Sequence, residues 1–343
     1  MRLMNWNIEH MNSWWESDDA ESATMRLAFR GNRFSPAITD VPALAKRVGA
    51  VINAVDPDII TIQEGAGIPE MNDFFNRFVE GSTWRVLRGS GGGQALVVAA
   101  RLDRCISGID NGPETIGNID LSEPFEADVN ADLHIEATEF ARQPQVVEFT
   151  AHGQRLLLMN NHLKSKYVHD ARARFEAGGD TRRAFFQDAL IARRRISAEA
   201  FRIREYLNGV FDAEPMRHVI VAGDLNDGPG ADYFERNFLT HSVVDRVFGS
   251  VFQPERQLAH ALFHGGATDY TAQFYDYIEG RTRDLVLDHV GLSRGINRNF
   301  HWRARVGVSE YEAQVLNDSK LKERDRSPSD HRPVVVDLTP RDP

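Results

Sequence analysis

The chain of 343 residues carries 40 Lys and Arg against 50 Asp and Glu, a net charge of −10, with 42% hydrophobic residues. That balance argues against general polyanion binding, although a local basic patch or a bound cation supplies positive charge where a site needs it. No run of about 18 apolar residues could cross a bilayer. The single cysteine, Cys105, excludes internal disulfides and fits a reducing compartment.

Arg2 to Ile8 reads as a first strand ending at Asn7, with Glu9 and His10 beyond it. It lacks the apolar core of a signal peptide, so a cytoplasmic location is expected. Residues 11–39 read as a long excursion in which Trp14, Trp15, Phe29 and Phe34 favour an ordered, packed loop. Asp40-Val41-Pro42 starts a helix with the stripe Leu44, Val48, Val51, Ile52 and Val55, and Asp56-Pro57 stops it. Asp58 to Glu64 is a buried strand ending in a carboxylate, and 69–78 a short helix. Strands at 84–87 and 95–99 flank Gly91-Gly92-Gly93. With no helix after it and no Gly-Lys-Ser/Thr, this cluster reads as a hairpin turn, not a phosphate-cradling loop.

Residues 107–135 read as a long acidic loop, and strands follow at 138–149 and 155–159. The second runs into Asn160-Asn161-His162-Leu163-Lys164-Ser165-Lys166. Residues 166–183 read as a basic loop. A long helix follows on the stripe Phe185, Ala189, Ala192, Ile196, Ala200, Ile203 and Leu207, with Gly209 as its stop. Val219 to Asp224 is a buried strand leading into Leu225-Asn226-Asp227, and Gly228-Pro229-Gly230 opens a short helix through Phe238. Leu285 to Val290 is a strand with Asp288 in its middle, and Ser329-Asp330-His331-Arg332-Pro333 enters the last strand, Val334 to Leu338. Strands and helices alternate without a linker, which predicts a single α/β domain over 1–343.

These strand ends finish in groups that bind metal or move protons: Asn7, Glu64, His162, Asp224 with Asn226, Asp288, and Asp330 with His331. Mg²⁺ takes oxygen ligands and uses one or two carboxylates alongside water, which suits Asn7, Glu64 and Asp330. Histidines with carboxylate partners suit acid–base work near neutral pH. No zinc spacing and no Gly-x-Ser-x-Gly elbow is present. Each residue alone also reads as a turn former or a surface acid; the ordered set carries the functional reading.

The segments Asn5-Trp6-Asn7, Ile62-Gln63-Glu64, Asn161-His162-Leu163, Gly223-Asp224-Leu225-Asn226, Leu287-Asp288-His289 and Ser329-Asp330-His331-Arg332-Pro333 resemble, in order, those of the endonuclease/exonuclease/phosphatase superfamily. The resemblance implies a four-layer α/β/β/α sandwich: two mixed, mostly antiparallel sheets packed face to face with helices outside. It implies Mg²⁺, with Mn²⁺ or Ca²⁺ as substitutes, held by Glu64 with Asn7 and Asp330. Asp224 would orient or deprotonate the attacking water and Asn226 would hold the phosphate. His331, oriented by Asp288, would stabilise the phosphoryl charge, and His162 would act near the leaving group. Arg142, in Phe140-Ala141-Arg142-Gln143-Pro144, resembles an arginine that approaches the phosphate. The glutamate that orients the leaving-group histidine in the deoxyribonuclease branch corresponds here to Gln94, whose amide can hold the ring but cannot stabilise an imidazolium. In-line attack on phosphorus needs charge neutralisation, a positioned water and help for the leaving oxygen, and the set supplies all three.

Many basic residues between Lys166 and Arg204 would pair along a solvated helix, while those just after His162 could reach a nucleic-acid backbone. Lys164-Ser165-Lys166 also resembles bacterial nuclease members of the superfamily. The expectation is a Mg²⁺-dependent phosphodiesterase with nucleic acid, DNA or RNA, as substrate and no obligate protein partner. The alternative is a phosphoesterase of small-molecule or lipid head-group phosphates. A binding protein that kept the fold is disfavoured by the complete residue set.

Overall fold

The computed structural model describes residues 1–343 except 17–22, 34, 82, 90, 91, 93, 230, 231, 240, 241, 265–268, 342 and 343. Phe34, Gly91, Gly93 and Gly230 therefore lie outside the described residues. Two large sheets each grow around one parallel strand pair. In the first, β1 (Arg2–Asn7) leads through helix α1 (Val41–Val55) to β2 (Ile59–Gly65), parallel beside it. The crossover helix begins as the sequence predicts: Asp40 accepts from Ala43 N at 2.9 Å. Helix α2 (Ile68–Phe78) then leads to β3 (Trp84–Arg88) and β4 (Ala95–Arg101). The second sheet is laid down by β5 (Ile106–Asn111), β6 (Gln145–Ala151) and β7 (Gln154–His162). Helix α3 (Gly179–Ala213) crosses to β8 (His218–Asp224), parallel to β7, and β9 (Ala259–His260) and β10 (Asp288–Leu292) complete that sheet. β11 (Phe300–Val306) and β12 (Val334–Pro340) return to the first. The strand orders are β11-β12-β1-β2-β4-β3 and β9-β10-β8-β7-β6-β5, antiparallel apart from the two parallel pairs.

Alternation along the strands makes the layers. Leu3 of β1 points into the core between the sheets with Leu158, Ile220, Val290 and Val336, whereas Met4 and Trp6 point out under Val48, Ile52 and Phe74. On the opposite side Leu157, Met159, Val219 and Val221 pack beneath Ile196, Ile203 and Leu207 of α3. The result is the α/β/β/α sandwich that the resemblance implies.

Several local expectations are corrected. Residues 166–183 are largely helical, with a short helix at Ala171–Ala177 and α3 starting at Gly179. α3 runs past Gly209, where a Cβ would meet Ile116 Cγ2 at 2.8 Å; that glycine serves close packing and not chain termination. The acidic stretch 107–135 supplies edge strand β5 and strands of small ladders, because Ile106, Ile109, Leu121 and Val129 give it apolar anchors. The strand expected at 138–149 starts only at Gln145, since Thr138 instead pairs with Phe125. Leu285 closes a hairpin with Ala272, so the strand that carries Asp288 begins at Asp288 itself. Trp14 and Trp15 are buried and stacked 5.8 Å apart, which makes them loop packing.

The sheets are also joined by polar groups. Asn5 Oδ1 accepts from Thr61 Oγ1 at 2.8 Å and from Gln63 Nε2 at 2.9 Å. Gln63 Nε2 donates across the interface to Asn160 Oδ1 at 2.7 Å. Asn160 Nδ2 donates to Val97 O at 3.1 Å and to Gln145 Oε1 at 3.3 Å. All of these side chains are buried, so each unmade bond would cost free energy. Asn160→Ala takes one buried partner each from Gln63 Nε2 and Gln145 Oε1; the expected loss is about 2–4 kcal/mol, read as a lower urea midpoint at unchanged slope.

Candidate active site

The two parallel pairs bring their carboxyl ends to one edge of the sandwich. Asn7 lies opposite Gln63, and His162 lies opposite Asp224, which in turn lies opposite Asp288 at the start of antiparallel β10. Glu64 sits in a β-bulge between Ile62 and Gly65 with φ 59. The bulge and the left-handed backbone are the kind of local strain that re-aims a side chain. Its Oε2 accepts from His10 N at 2.8 Å and lies 3.2 Å from His10 Nδ1, and its Oε1 lies 3.4 Å from Asn7 Nδ2.

Asp224 Oδ2 is the meeting point of the site. Asn7 Nδ2 donates to it at 3.0 Å, His162 Nε2 lies at 3.5 Å and His331 Nε2 at 3.9 Å. Its other oxygen accepts from Asn226 N at 2.8 Å. Gly223 is obligatory beside it: φ is 145, and a Cβ there would lie 2.0 Å from Asn161 O. Burial pushes the Asp224 carboxyl up to about 7; His331 and Asn7 oppose the rise and Asp288 adds to it.

His331 is fixed from three sides. Its Nδ1 is 2.7 Å from Asp288 Oδ2, its N donates to Ser329 Oγ at 3.1 Å, and its carbonyl accepts from Trp6 Nε1 at 2.8 Å. Ser329 Oγ donates to Asn7 O at 2.7 Å, which ties the Ser329-Asp330-His331 turn to the end of β1. Burial works against the His331 imidazolium, but Asp288, Asp330 and Asp224 outweigh it and raise its pKa well above the usual histidine value. His162 goes the other way: burial, then Arg142, His331 and His10, hold its pKa well below that value. Two histidines on one carboxylate thus favour opposite protonation states.

Arg142 and Gln94 come together differently from expectation. Arg142 Nη1 donates to Gln94 Oε1 at 2.7 Å, Nε to His162 O at 2.9 Å and Nη2 to Leu163 O at 2.7 Å. Gln94 therefore holds the arginine, and His162 Nδ1 has no hydrogen-bond partner among the described residues. Asn226, with φ 51, uses one amide N–H on Leu163 O at 2.9 Å. The flanking cations are engaged as well: Lys166 Nζ lies 2.5 Å from Asp227 and 2.6 Å from Glu235, and Arg172, Arg174 and Arg193 pair with Glu176, Asp188 and Asp232.

Sequence reasoning assigned no role to His10, yet it bonds to Glu64 through both backbone and ring. It also passed over Glu9 and Arg324. Arg324 Nε lies 3.1 Å from Glu9 Oε2, and its Nη1 donates at 2.9 Å to Ser327 O and Pro328 O. The guanidinium thereby staples the turn after β1 to the turn before His331. The sequence signal was position, with Glu9 and His10 two and three residues after Asn7 and Arg324 five before Ser329.

The donor set fits a hard dication. Glu64, Asp330 and the Asn7 amide are oxygen donors of the right kind, and burial followed by repulsion from Asp330 pushes the Glu9 carboxyl up to about 7, against the pull of Arg324. Among the described residues no three histidine, cysteine or acidic side chains form a preformed metal cage. A cation that keeps most of its water needs none. From Asn226 and Asp330 a cleft of about 890 Å³ opens past the exposed rings of Tyr167, Phe274 and Tyr275.

A family model described as Endonuclease/Exonuclease/phosphatase family matches residues 4–331. No curated protein matches the sequence. Among solved structures, truncated TDP2 of Caenorhabditis elegans superposes with a TM-score of 0.51 at 14% identity, over 98% of this chain and 96% of that one. The mannosyl-6-phosphatase Bt3783 of Bacteroides thetaiotaomicron does so with a TM-score of 0.50 at 17% identity, over 99% of both chains. At these identities the likeness is one of fold.

Asp288→Asn removes the counter-ion of His331, so the His331 titration, followed by NMR in metal-free protein, moves to lower pH. Because the folded value lies above the unfolded one, the stability the pair contributes is full below about pH 6.5 and is lost as pH rises through the folded value. The difference in urea midpoint between wild type and Asp288→Asn is therefore largest in mildly acidic buffer and shrinks toward alkaline pH.

Proposed function

The chain belongs to the endonuclease/exonuclease/phosphatase family, and from that premise we propose that it is a Mg²⁺-dependent phosphodiesterase that hydrolyses nucleic-acid diester bonds by in-line attack of water. Glu64, Asp330 and Asn7 would hold the cation, which supplies charge neutralisation at a phosphoryl oxygen. Asp224, pushed up to about 7 by burial, accepts the proton of the attacking water. Asn7 Nδ2 keeps that carboxylate aimed at the water. His331, held protonated by Asp288 despite burial, donates Nε2–H to the phosphoryl oxygen on which charge develops. Asn226 has a second amide N–H free of its bond to Leu163 O for the same phosphate. His162 works as a neutral imidazole and hydrogen-bonds the leaving oxygen without acting as a strong acid. Arg142 holds the carbonyls of His162 and Leu163, and its remaining N–H groups would serve the phosphate.

The observation that carries the nucleic-acid reading is the cleft beside Asn226 and Asp330. At about 890 Å³ it is far larger than a phosphate, and Tyr167, Phe274 and Tyr275 offer faces on which bases stack. One observation favours the second reading, a small-molecule or lipid head-group phosphoester. The cations at Lys166, Arg172, Arg174 and Arg193 are matched by carboxylates, which leaves this flank little free charge for a long backbone.

A hydrolysis screen decides between them: plasmid DNA, single-stranded DNA, RNA, bis-p-nitrophenyl phosphate and p-nitrophenyl phosphate, each with wild type and Asp224→Ala. The expected outcome is diester cleavage that chelation abolishes, that Mg²⁺ restores, and that falls by about 10²–10⁴ in the variant. Cleavage of the monoester alone would sink the diesterase reading. The rate should rise with pH as Asp224 loses its proton, around pH 7 before a bound cation draws it lower, and fall as His331 loses its own.

A further inference from the structure

A cavity of about 970 Å³ lies between α3 and the segment 242–257. None of Asn7, Glu64, His162, Asp224, Asp288 and His331 lines it; instead it gathers Arg194 and Arg204 from α3 and Arg246 and Arg256 from the facing segment. Arg256 pairs with Asp212. For Arg194, Arg204 and Arg246 no carboxylate stands within ion-pair distance among the described residues. The two acids on the cavity wall are engaged in their own turns: Asp128 accepts from Ala131 N at 2.7 Å and Asp245 from Ser242 Oγ at 2.8 Å.

Arg204 is the unusual member. It is only 8% exposed. Its Nε donates to Asn208 Oδ1 at 2.9 Å and its Nη1 to Arg256 O at 3.2 Å and Val247 O at 3.3 Å, while Nη2 has no partner among the described residues. Burial lowers its pKa to about 10, and Arg256 adds to the effect. A buried cation without a counter-ion is costly. Elsewhere this acidic chain matches its buried arginines: Arg193 with Asp232, Arg217 with Glu148, Arg324 with Glu9. On the same cavity wall, the guanidinium of Arg246 lies over the half-exposed ring of Phe201, 4.1 Å from its centre, which limits its motion.

We propose that this cavity is a second anion site that takes a phosphate group, with Arg194 and Arg246 as its direct partners and Arg204 as the fixed charge behind them. The planar guanidinium fork matches phosphate oxygens, and a phosphate would supply the counter-charge the cluster lacks. The ligand is either a distal backbone phosphate of a polynucleotide or a free phosphate compound. The assignment rests on this cavity and not on the hydrolytic reading, so the two fail separately.

The test is calorimetric titration of the full chain, stripped of metal on a chelating resin, with inorganic pyrophosphate. Wild type is compared with Arg194→Gln/Arg246→Gln and with Asn226→Ala. The expected result is one saturable site whose Kd rises about tenfold or more in the double variant and is unchanged in Asn226→Ala. Binding that survives the double substitution, disappears in Asn226→Ala, or is absent from wild type at millimolar ligand overturns the assignment. Equal melting temperatures establish that the double variant is folded; should it not be, Arg194→Gln alone, on a half-buried helix position, gives the same comparison. Oligonucleotides of increasing length separate the two sources. A defect of the double variant that appears only beyond a threshold length assigns the site to the polynucleotide backbone, and a defect with pyrophosphate alone assigns it to a free phosphate compound.

Discussion

The hydrogen bond from Gln63 Nε2 to Asn160 Oδ1 joins the two sheets one layer beneath the candidate active site. Strand periodicity fixes what lies above it: Asn5 and Asn160 are each two residues before Asn7 and His162, on the same inward faces. A relative slide of the sheets would break this buried contact and separate Asn7 from Asp224 at the same time. The site is built from both sheets, so its geometry is only as firm as the interface beneath it. An apolar layer at that level would tolerate small shifts; amides with defined donors and acceptors do not.

Above that layer, the electrostatics divide by neighbour and not by depth. His162 and His331 are both buried and both approach Asp224 Oδ2. His331 has Asp288 and Asp330 beside it and holds its proton; His162 has Arg142 beside it and does not. The same burial that raises Asp224 would silence all three groups if each were alone. Its consequences differ because Asp288 and Asp330 support the charge of His331, whereas Arg142 opposes that of His162.

Much of this was legible in the residues. The capped helix after Asp40, the apolar runs at Asp58–Glu64 and Val219–Asp224, and the polar residue at each strand end mark local structure directly. The pairing of sheets followed from the family resemblance and not from periodicity. What escaped was set by backbone geometry or by packing between distant segments. His10 reaches Glu64 because Glu9 and His10 adopt φ 45 and 52, and Glu64 itself φ 59, which no propensity announces. Gln94 turned to Arg142 and not to His162, a choice that depends on where the Arg142 loop docks. The charges of 166–183 looked like a loop because their polarity masked a helical course, and the unpaired arginines of α3 became visible only against the segment that faces them.

The adjacency of β1 and β12 has a consequence for how the molecule comes into being. Arg2 pairs with Asp337, and Ser329 near the end of the sequence holds the carbonyl of Asn7 near its start. As a chain emerges from a ribosome, β1 has one parallel neighbour early and an unpaired edge until β12 is made. No fragment that stops short of residue 331 contains both Asp224 and its protonated partner. The order of synthesis therefore acts as a timer: the constellation can assemble only once translation has passed residue 331.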